Sequence, residues 1–265
     1  MTDLRGRWAL VTGASSGLGA DFARELAGRG ANVVLVARRE EPMKALAASL
    51  ESAHGVATRV VAMDLAAEDA PPALADRMRA DGIDVDVLVN NAGFGVFGPF
   101  LELPWERERQ MLALDVVALV HLTKLFAAGM AKRGTGWILQ VASIGAFQPT
   151  PTYATYSAAK SFVLSFGEAI AHELRPHGVR VCTVCPGVTA TEFLAVAGQR
   201  TSLYQRMMMM QSPAVVRSAV KAMLRGKTSV TPGVSNALAA FSMRLTPRRL
   251  QAAIASAAMN LGGGR

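Results

Sequence analysis

Tyr156 and Lys160 stand four residues apart in Thr155-Tyr156-Ser157-Ala158-Ala159-Lys160, within a helical stretch expected from Thr152 to Leu174. On a helix, positions i and i+4 lie one above the other, so the phenol and the ammonium share a face. A free tyrosine titrates near ~10 and exchanges few protons at neutral pH, whereas a neighbouring cation favours the phenolate. The pair could therefore be an acid under control. By itself it could equally be two residues of an ordinary amphipathic helix, so other groups must decide.

The elements that would position the pair alternate along the chain. Apolar, β-branched runs at Trp8–Val11, Asn32–Ala37, Thr58–Met63, Val85–Asn90, Trp137–Ala142, Val179–Cys185 and Ser229–Thr231 read as strands. Helical patterns fall between them at Leu18–Arg29, Glu41–Ala53, Pro71–Ala80, Trp105–Lys132, Thr152–Leu174 and Pro213–Arg225. Continuously apolar strands separated by helices predict βαβ units. The expected fold is α/β: one Rossmann-type, doubly wound parallel sheet with helices on both faces. Residues 1–231 would form this domain and 232–265 a C-terminal helical extension.

The turn after the first strand, Thr12 to Gly19, carries Gly13, Ser15, Ser16, Gly17, Leu18 and Gly19 and opens a helix. Such a turn sets backbone N–H groups and the positive end of a helix against a phosphate. Dinucleotide binding is the favoured reading. After the second strand, where a carboxylate would hold ribose hydroxyls, stand Arg38 and Arg39, which suit a 2′-phosphate. NADP(H) is therefore expected over NAD(H), with Arg39 the one of the two that could instead cap a surface loop. Asp64, beside Leu65, is placed to reach the adenine edge. Asn90-Asn91-Ala92-Gly93 offers amides to bind backbone and small residues to let the cofactor pass.

Bulk properties narrow the classes. The 265 residues suffice for one large domain, and no uncharged apolar run reaches the length of about 20 residues that spans a bilayer. The apolar run near the N-terminus is too short for a signal peptide. Cys182 and Cys185 lie on a strand, where positions three apart face opposite ways, so they are expected as buried thiols in a reducing compartment rather than a redox pair. The four histidines show no ligand spacing, and no metal is expected. Net charge is +8, yet through Glu192 there are 18 Lys/Arg against 20 Asp/Glu, and from Phe193 onward 10 Lys/Arg with no carboxylate side chain. That asymmetry points to an anionic or acyl-carrier-borne substrate, to a membrane surface, or to a solvated basic rim. No nucleic-acid fold signature accompanies it.

Taken together, Thr12-Gly13, Gly17, Gly19, Asn90 to Gly93, Ser143, Tyr156, Lys160 and Pro186-Gly187 occur in the order and spacing of the classical short-chain dehydrogenase/reductase family, which the chain resembles over about residues 5–231. The resemblance implies a seven-stranded Rossmann sheet and hydride exchange between a nicotinamide cofactor and a carbonyl or alcohol. Tyr156 would be the acid/base. Lys160 would hold the nicotinamide ribose and lower the Tyr156 pKa, and Ser143 would bind the substrate oxygen. Pro186-Gly187, with Thr189 or Thr191, would bind the carboxamide. The chain departs from the family at Asp115, where an asparagine is usual; a carboxylate there would favour the Lys160 ammonium. A cofactor-binding regulatory or scaffold protein with weak catalysis is the alternative that Asp115 raises.

Val188 to Gln211, ending in Met207-Met208-Met209-Met210, resembles the family's substrate-covering segment, and those methionines would either suit an adaptable apolar pocket for a bulky or acyl-type substrate or, half of them, pack into the core as one helical turn. Phe94, Phe97, Phe147 and Gln148 are further candidates for its wall. In the extension, Val234, Leu238, Phe241 and Leu245 repeat at helical spacing, and Thr246-Pro247 opens a second helix bearing Leu250 and Ile254. This stripe is expected to pack on the domain or a sister subunit, with a membrane surface as the other reading. The expected partner is a small carbonyl or alcohol substrate, the location cytoplasmic or membrane-peripheral, and the assembly a homodimer or homotetramer.

Overall fold

A run such as Asn32–Ala37 has no polar alternation, so both faces of the strand have to be covered, and they are: every residue after Asn32 is buried. The computed structural model describes residues 3–190, 192–199 and 209–260. Seven strands form one parallel sheet: β1 (Trp8–Thr12), β2 (Asn32–Ala37), β3 (Thr58–Ala62), β4 (Val85–Asn90), β5 (Gly136–Val141), β6 (Val179–Val184) and β7 (Ser229–Val230). Their order is β3-β2-β1-β4-β5-β6-β7. The direction of winding reverses between β1 and β4, and in such sheets the crevice beyond the carboxyl ends at that switch takes the ligand. The loops after β1 and β4 both open there.

On one face lie α1 (Gly17–Ala27), α2 (Glu40–His54) and α8 (Ser212–Leu224), whose Phe22, Leu26, Met43, Val216 and Met223 pack with Leu35 and Leu139. On the other lie α3 (Ala70–Ala80), α5 (Leu119–Arg133) and α6 (Ala154–Leu174), where Leu74, Met78, Leu122, Phe126 and Met130 meet Val34, Leu88 and Ile138. Each such fully buried side chain stabilises the fold by about 1.5–3 kcal/mol. The apolar stretch Trp105–Arg133 has mean hydropathy 1.8 over an 18-residue window, enough by length and composition to cross a bilayer. Here its apolar side covers the sheet instead, and Lys132 and Arg133 close its last turn in favour of the helix dipole.

Trp105–Lys132 is helical throughout, as its pattern predicts, but not regularly α-helical. α4 (Trp105–Leu112) passes through a π-helical segment, Ala113–Ala118, into α5. A π turn carries one extra residue and recurs at functional sites; this one carries Asp115. The tail also differs. The short α7 (Phe193–Val196), α9 (Val234–Leu245) and α10 (Arg248–Asn260) complete the helices among the described residues. The stripe Val234, Leu238, Phe241 and Leu245 does not pack on the domain: it faces outward, with 57–79% of each residue exposed. The inward side of α9 is Asn236 and Ala240, too narrow and polar a face for periodicity to single out. Gln251 Nε2 donates to the carbonyls of Met243 and Thr246, tying α10 to α9. Thr191, Met207 and Met208 lie outside the described residues.

Candidate active site

The chemistry gathers on the first turns of α6. Tyr156 and Lys160 share its inward face, and the ammonium lies 5.7 Å from the centre of the phenol ring. Lys160 Nζ donates to the Val141 carbonyl at 3.1 Å and forms a close ion pair with Asp115 Oδ2 at 2.9 Å. Asp115 Oδ1 accepts from the Phe94 N–H at 3.1 Å. Both partners are buried, with side-chain exposures of 6% and 0%. Asp115 reaches Lys160 from within the π-helical segment Ala113–Ala118.

Burial dominates the electrostatics. It raises the Asp115 carboxyl pKa, against the pull of the Lys160 ammonium and the Phe94 N–H. Burial by itself would lower the Lys160 pKa, but Asp115 and then Tyr156 more than offset it, so the lysine pKa is raised and the ammonium persists. Tyr156 is raised as well. Burial is the main cause and Asp115 adds to it, while Lys160 and a hydrogen bond with Ser143 pull the other way. Lys160 thus acts in the expected sense, but in this setting it does not carry the phenol below its ordinary value. Ser143 follows β5 and opens a short 3-10 turn, Ile144–Phe147, its Oγ accepting from the Gly145 N–H at 3.1 Å.

A cavity of about 780 Å³ runs from the glycine turn past Ser143, Tyr156 and Lys160 to α9 and α10. Gly13 and Gly17 hold φ of +68° and +55°, a backbone that side-chain-bearing residues rarely adopt, and both line it with Ser15, Ser16 and Leu18. Gly19 lies behind the turn, where a Cβ would come within 2.1 Å of the Gly13 carbonyl. Ser16 does not cap α1 with its side chain, which leaves the first N–H groups to the cavity. Arg38, Arg39, Asp64, Leu65, Asn91, Ala92, Gly93, Pro186, Gly187 and Thr189 also line it. With uncapped N–H groups at one end and two guanidinium groups beside them, this lining fits a phosphorylated dinucleotide.

Two residues have other places than expected. Asn90 is absent from the cavity wall; its amide nitrogen donates to Thr123 Oγ1 at 2.9 Å and Gln140 Oε1 at 3.0 Å inside the fold. The last residue of β4 points into the helix layer, and the two-residue period then turns Asn91 toward β1, where it donates to the Thr12 carbonyl at 2.9 Å. Arg39 is no simple loop cap: Nη2 donates to Ser16 Oγ at 2.7 Å and pairs with Glu192 Oε2 at 3.1 Å across the phosphate turn.

Sequence reasoning missed two members of the aromatic wall, Tyr153 and Phe193. Tyr153 and Phe193 lie 5.6 Å and 5.3 Å from the Tyr156 ring, and Tyr153 donates to Gln199 Oε1 at 2.7 Å. A tyrosine one helical turn before Tyr156 was the available signal for Tyr153; Glu192 and Phe193 had none. Phe94, Phe147 and Gln148 line the cavity as expected, whereas Phe97 stands behind, its ring 5.2 Å from that of Tyr153. Cys182 and Cys185 are buried thiols whose pKa values burial pushes up to about 12.

Comparison with known proteins agrees with this geometry. Residues 7–201 match the family model for short chain dehydrogenase. The very-long-chain 3-oxoacyl-CoA reductase of Phaeosphaeria nodorum is 40% identical over 181 residues, covering 67% of this chain and 53% of that protein; the chain spans about half the length of the relatives it matches in this way. A short-chain dehydrogenase from Sphingobium yanoikuyae, solved with NADPH, superposes with a TM-score of 0.80 at 32% identity, over 90% of this chain and 94% of the other. A bulky-bulky ketone specific alcohol dehydrogenase from Comamonas testosteroni gives 0.77 at 29% identity, over 90% and 92%. With its seven-stranded parallel sheet and its Ser143, Tyr156 and Lys160 gathered at one cavity, this chain belongs to the short-chain dehydrogenase/reductase family of oxidoreductases.

Proposed function

We propose that this chain is an NADPH-dependent reductase of a keto group on a bulky, acyl-type substrate, of the 3-oxoacyl kind named in its relatives. The observation that carries the reading is the continuity of the cavity. It joins a phosphate cradle flanked by Arg38 and Arg39 to an acid framed by Phe94, Phe147, Tyr153 and Phe193, and then to Ala239, Ala240 and Met243 of α9. Such a wall suits a long or bulky apolar group rather than a small polar one.

When bound, the nicotinamide supplies hydride to the carbonyl carbon. Tyr156 gives its proton to the carbonyl oxygen, and its raised pKa keeps the phenol protonated until that transfer, which favours the reducing direction. Ser143, in a hydrogen bond with Tyr156, steadies the charge that grows on the same oxygen. Lys160, kept cationic by Asp115, offsets the phenolate left behind.

Reduction of a panel of ketones and 3-oxoacyl thioesters, followed by NADPH absorbance, tests the reading. Tyr156→Phe is expected to lower kcat by about 10²–10⁴-fold and leave NADPH binding unchanged; normal turnover by that variant on a verified substrate would sink the mechanism. Faster turnover with NADH at equal low concentration would refute the cofactor preference. A second reading, a nucleotide-binding regulatory protein with weak catalysis, draws on the direct Asp115–Lys160 contact at 2.9 Å, which engages the lysine before any ribose reaches it. Tight NADPH binding with no reduction across the panel would favour it.

A further inference from the structure

The helix pair α9–α10 is built with its apolar side to solvent. Val234, Leu238, Phe241 and Leu245 repeat along the outer side of α9 at 79%, 64%, 57% and 76% exposure, and Leu250 and Ile254 continue on α10 at 54% and 46%. The inner side, Asn236 and Ala240 on α9 with Gln251 and Ala255 on α10, is buried. Six large apolar side chains on two adjacent short helices far exceed the scattered single exposures normal on a soluble surface. The basic residues Arg244, Arg248 and Arg249 are exposed at the junction of the two helices, and no carboxylate side chain occurs anywhere from Phe193 to Arg265. On α9, Arg244 lies beside the Phe241–Leu245 stripe, flanking it rather than opposing it.

We infer that α9 and α10 dock this protein on an anionic lipid surface, with the apolar stripe in the headgroup–acyl boundary and the arginines against lipid phosphates. An amphipathic helix with an apolar face and Arg at its border has the composition for that role. A second copy of the chain fits the patch less well. A two-fold contact through it would set Arg244, Arg248 and Arg249 near their own images, with no carboxylate on either helix to offset them.

The place of the pair in the fold gives the docking a purpose. Ala239 and Ile254 are exposed and also line the cavity, as do Asn236, Ala240, Met243 and Ala255. The helices therefore form the cavity's rim as well as its inner wall, and a bilayer beneath them would meet the cavity mouth. Resting on the proposed acyl-type substrate, this is a route by which an apolar substrate enters without crossing water.

Flotation of the full chain tests docking independently of turnover, so its failure is distinct from failure of the reductase reading. Vesicles of phosphatidylcholine with phosphatidylserine are compared with phosphatidylcholine alone, at low and high salt. The expected result is flotation with the anionic vesicles, weakened by salt, and a drop of at least about tenfold in the vesicle partition constant for Leu238→Ser/Phe241→Ser. Arg244→Gln/Arg248→Gln/Arg249→Gln is expected to remove the preference for the anionic vesicles. Far-UV circular dichroism and NADPH binding serve as folding controls, since Leu238 and Phe241 do not line the cavity. Wild-type chain that stays with neither vesicle, or a correctly folded Leu238→Ser/Phe241→Ser variant that floats as well as wild type, overturns the inference. So does a stripe variant that turns an oligomer into a monomer while vesicle binding is unchanged.

Discussion

Replacing Asp115 by Asn removes the counter-ion from a buried lysine while keeping the shape of the side chain. The Phe94 N–H still finds an acceptor at Oδ1, but Lys160 loses a partner 2.9 Å away at a site where its side chain is only 6% exposed. Breaking a buried pair by removing one member costs about 3–5 kcal/mol. An upper bound comes from the lysine itself: giving up its proton at about pH 7 instead costs no more than about 4.6 kcal/mol, from a free pKa near ~10.4. The expected loss is therefore at most about 4.6 kcal/mol, because the substitution also relieves the burial cost that raises the Asp115 carboxyl pKa. At this chain length that is a Tm lower by up to about 9 °C, at about 2 °C per kcal/mol. The sign with pH follows from the raised Lys160 pKa. A lysine held above its unfolded value contributes stability that is fully present below about pH 10.4 and is lost as pH rises through the folded value. Thermal unfolding of the two proteins, followed by circular dichroism from about pH 7 to about pH 11, should thus show a Tm gap that narrows toward the alkaline end. An Asp115→Asn protein as stable as wild type at neutral pH, or one less stable by the same amount at every pH, refutes the pair as a stabilising ion pair.

Gly19→Ala would force a Cβ to within 2.1 Å of the Gly13 carbonyl and 2.7 Å of the Asn91 amide. Because the first of these is backbone, the turn has to open, and NADPH binding measured by fluorescence should weaken by at least about tenfold, with about 1–3 kcal/mol lost in stability; an unchanged dissociation constant would show that the turn does not hold the cofactor. At the other end of the cradle, Glu192 occupies Arg39 and Ser16, at 3.1 Å and 2.9 Å. A 2′-phosphate has to displace that carboxylate, so Glu192→Gln should tighten NADPH by about threefold and leave NADH unaltered, a modest change because both partners are more than half exposed. Arg39→Ala should weaken NADPH selectively by about three- to tenfold. Equal effects on the two cofactors in steady-state KM would remove Arg39 from the phosphate site.

Runs of apolar, β-branched residues located every strand among the described residues to within a residue or so. A strand such as β2 is read from its own composition: six consecutive residues without polar alternation have to lie between two layers. The glycine turn and the Tyr156–Lys160 spacing were legible for a similar reason, since a phosphate cradle and a helical i, i+4 face are local geometries that neighbouring residues set by themselves. The destination of Asn90 was not legible, because a two-residue period tells which neighbours share a face but not which face meets the cofactor. Nor was the orientation of the α9 stripe, since helical spacing shows that a helix has an apolar side without saying what that side meets.

The local order of residues thus determined the elements, the cofactor cradle and the acid with its lysine, all of which depend on contacts within a few residues. Tertiary structure decided how strongly those groups are perturbed. It brought Asp115, forty-five positions before Lys160 in the chain, through a π turn to 2.9 Å from the ammonium, and Glu192 across to Arg39. Charge interactions depend on distance through space and on burial, and neither is written in the spacing along the chain. For the same reason the phenol that spacing suggested would be drawn below its ordinary pKa is held above it, by the burial that only the folded chain provides.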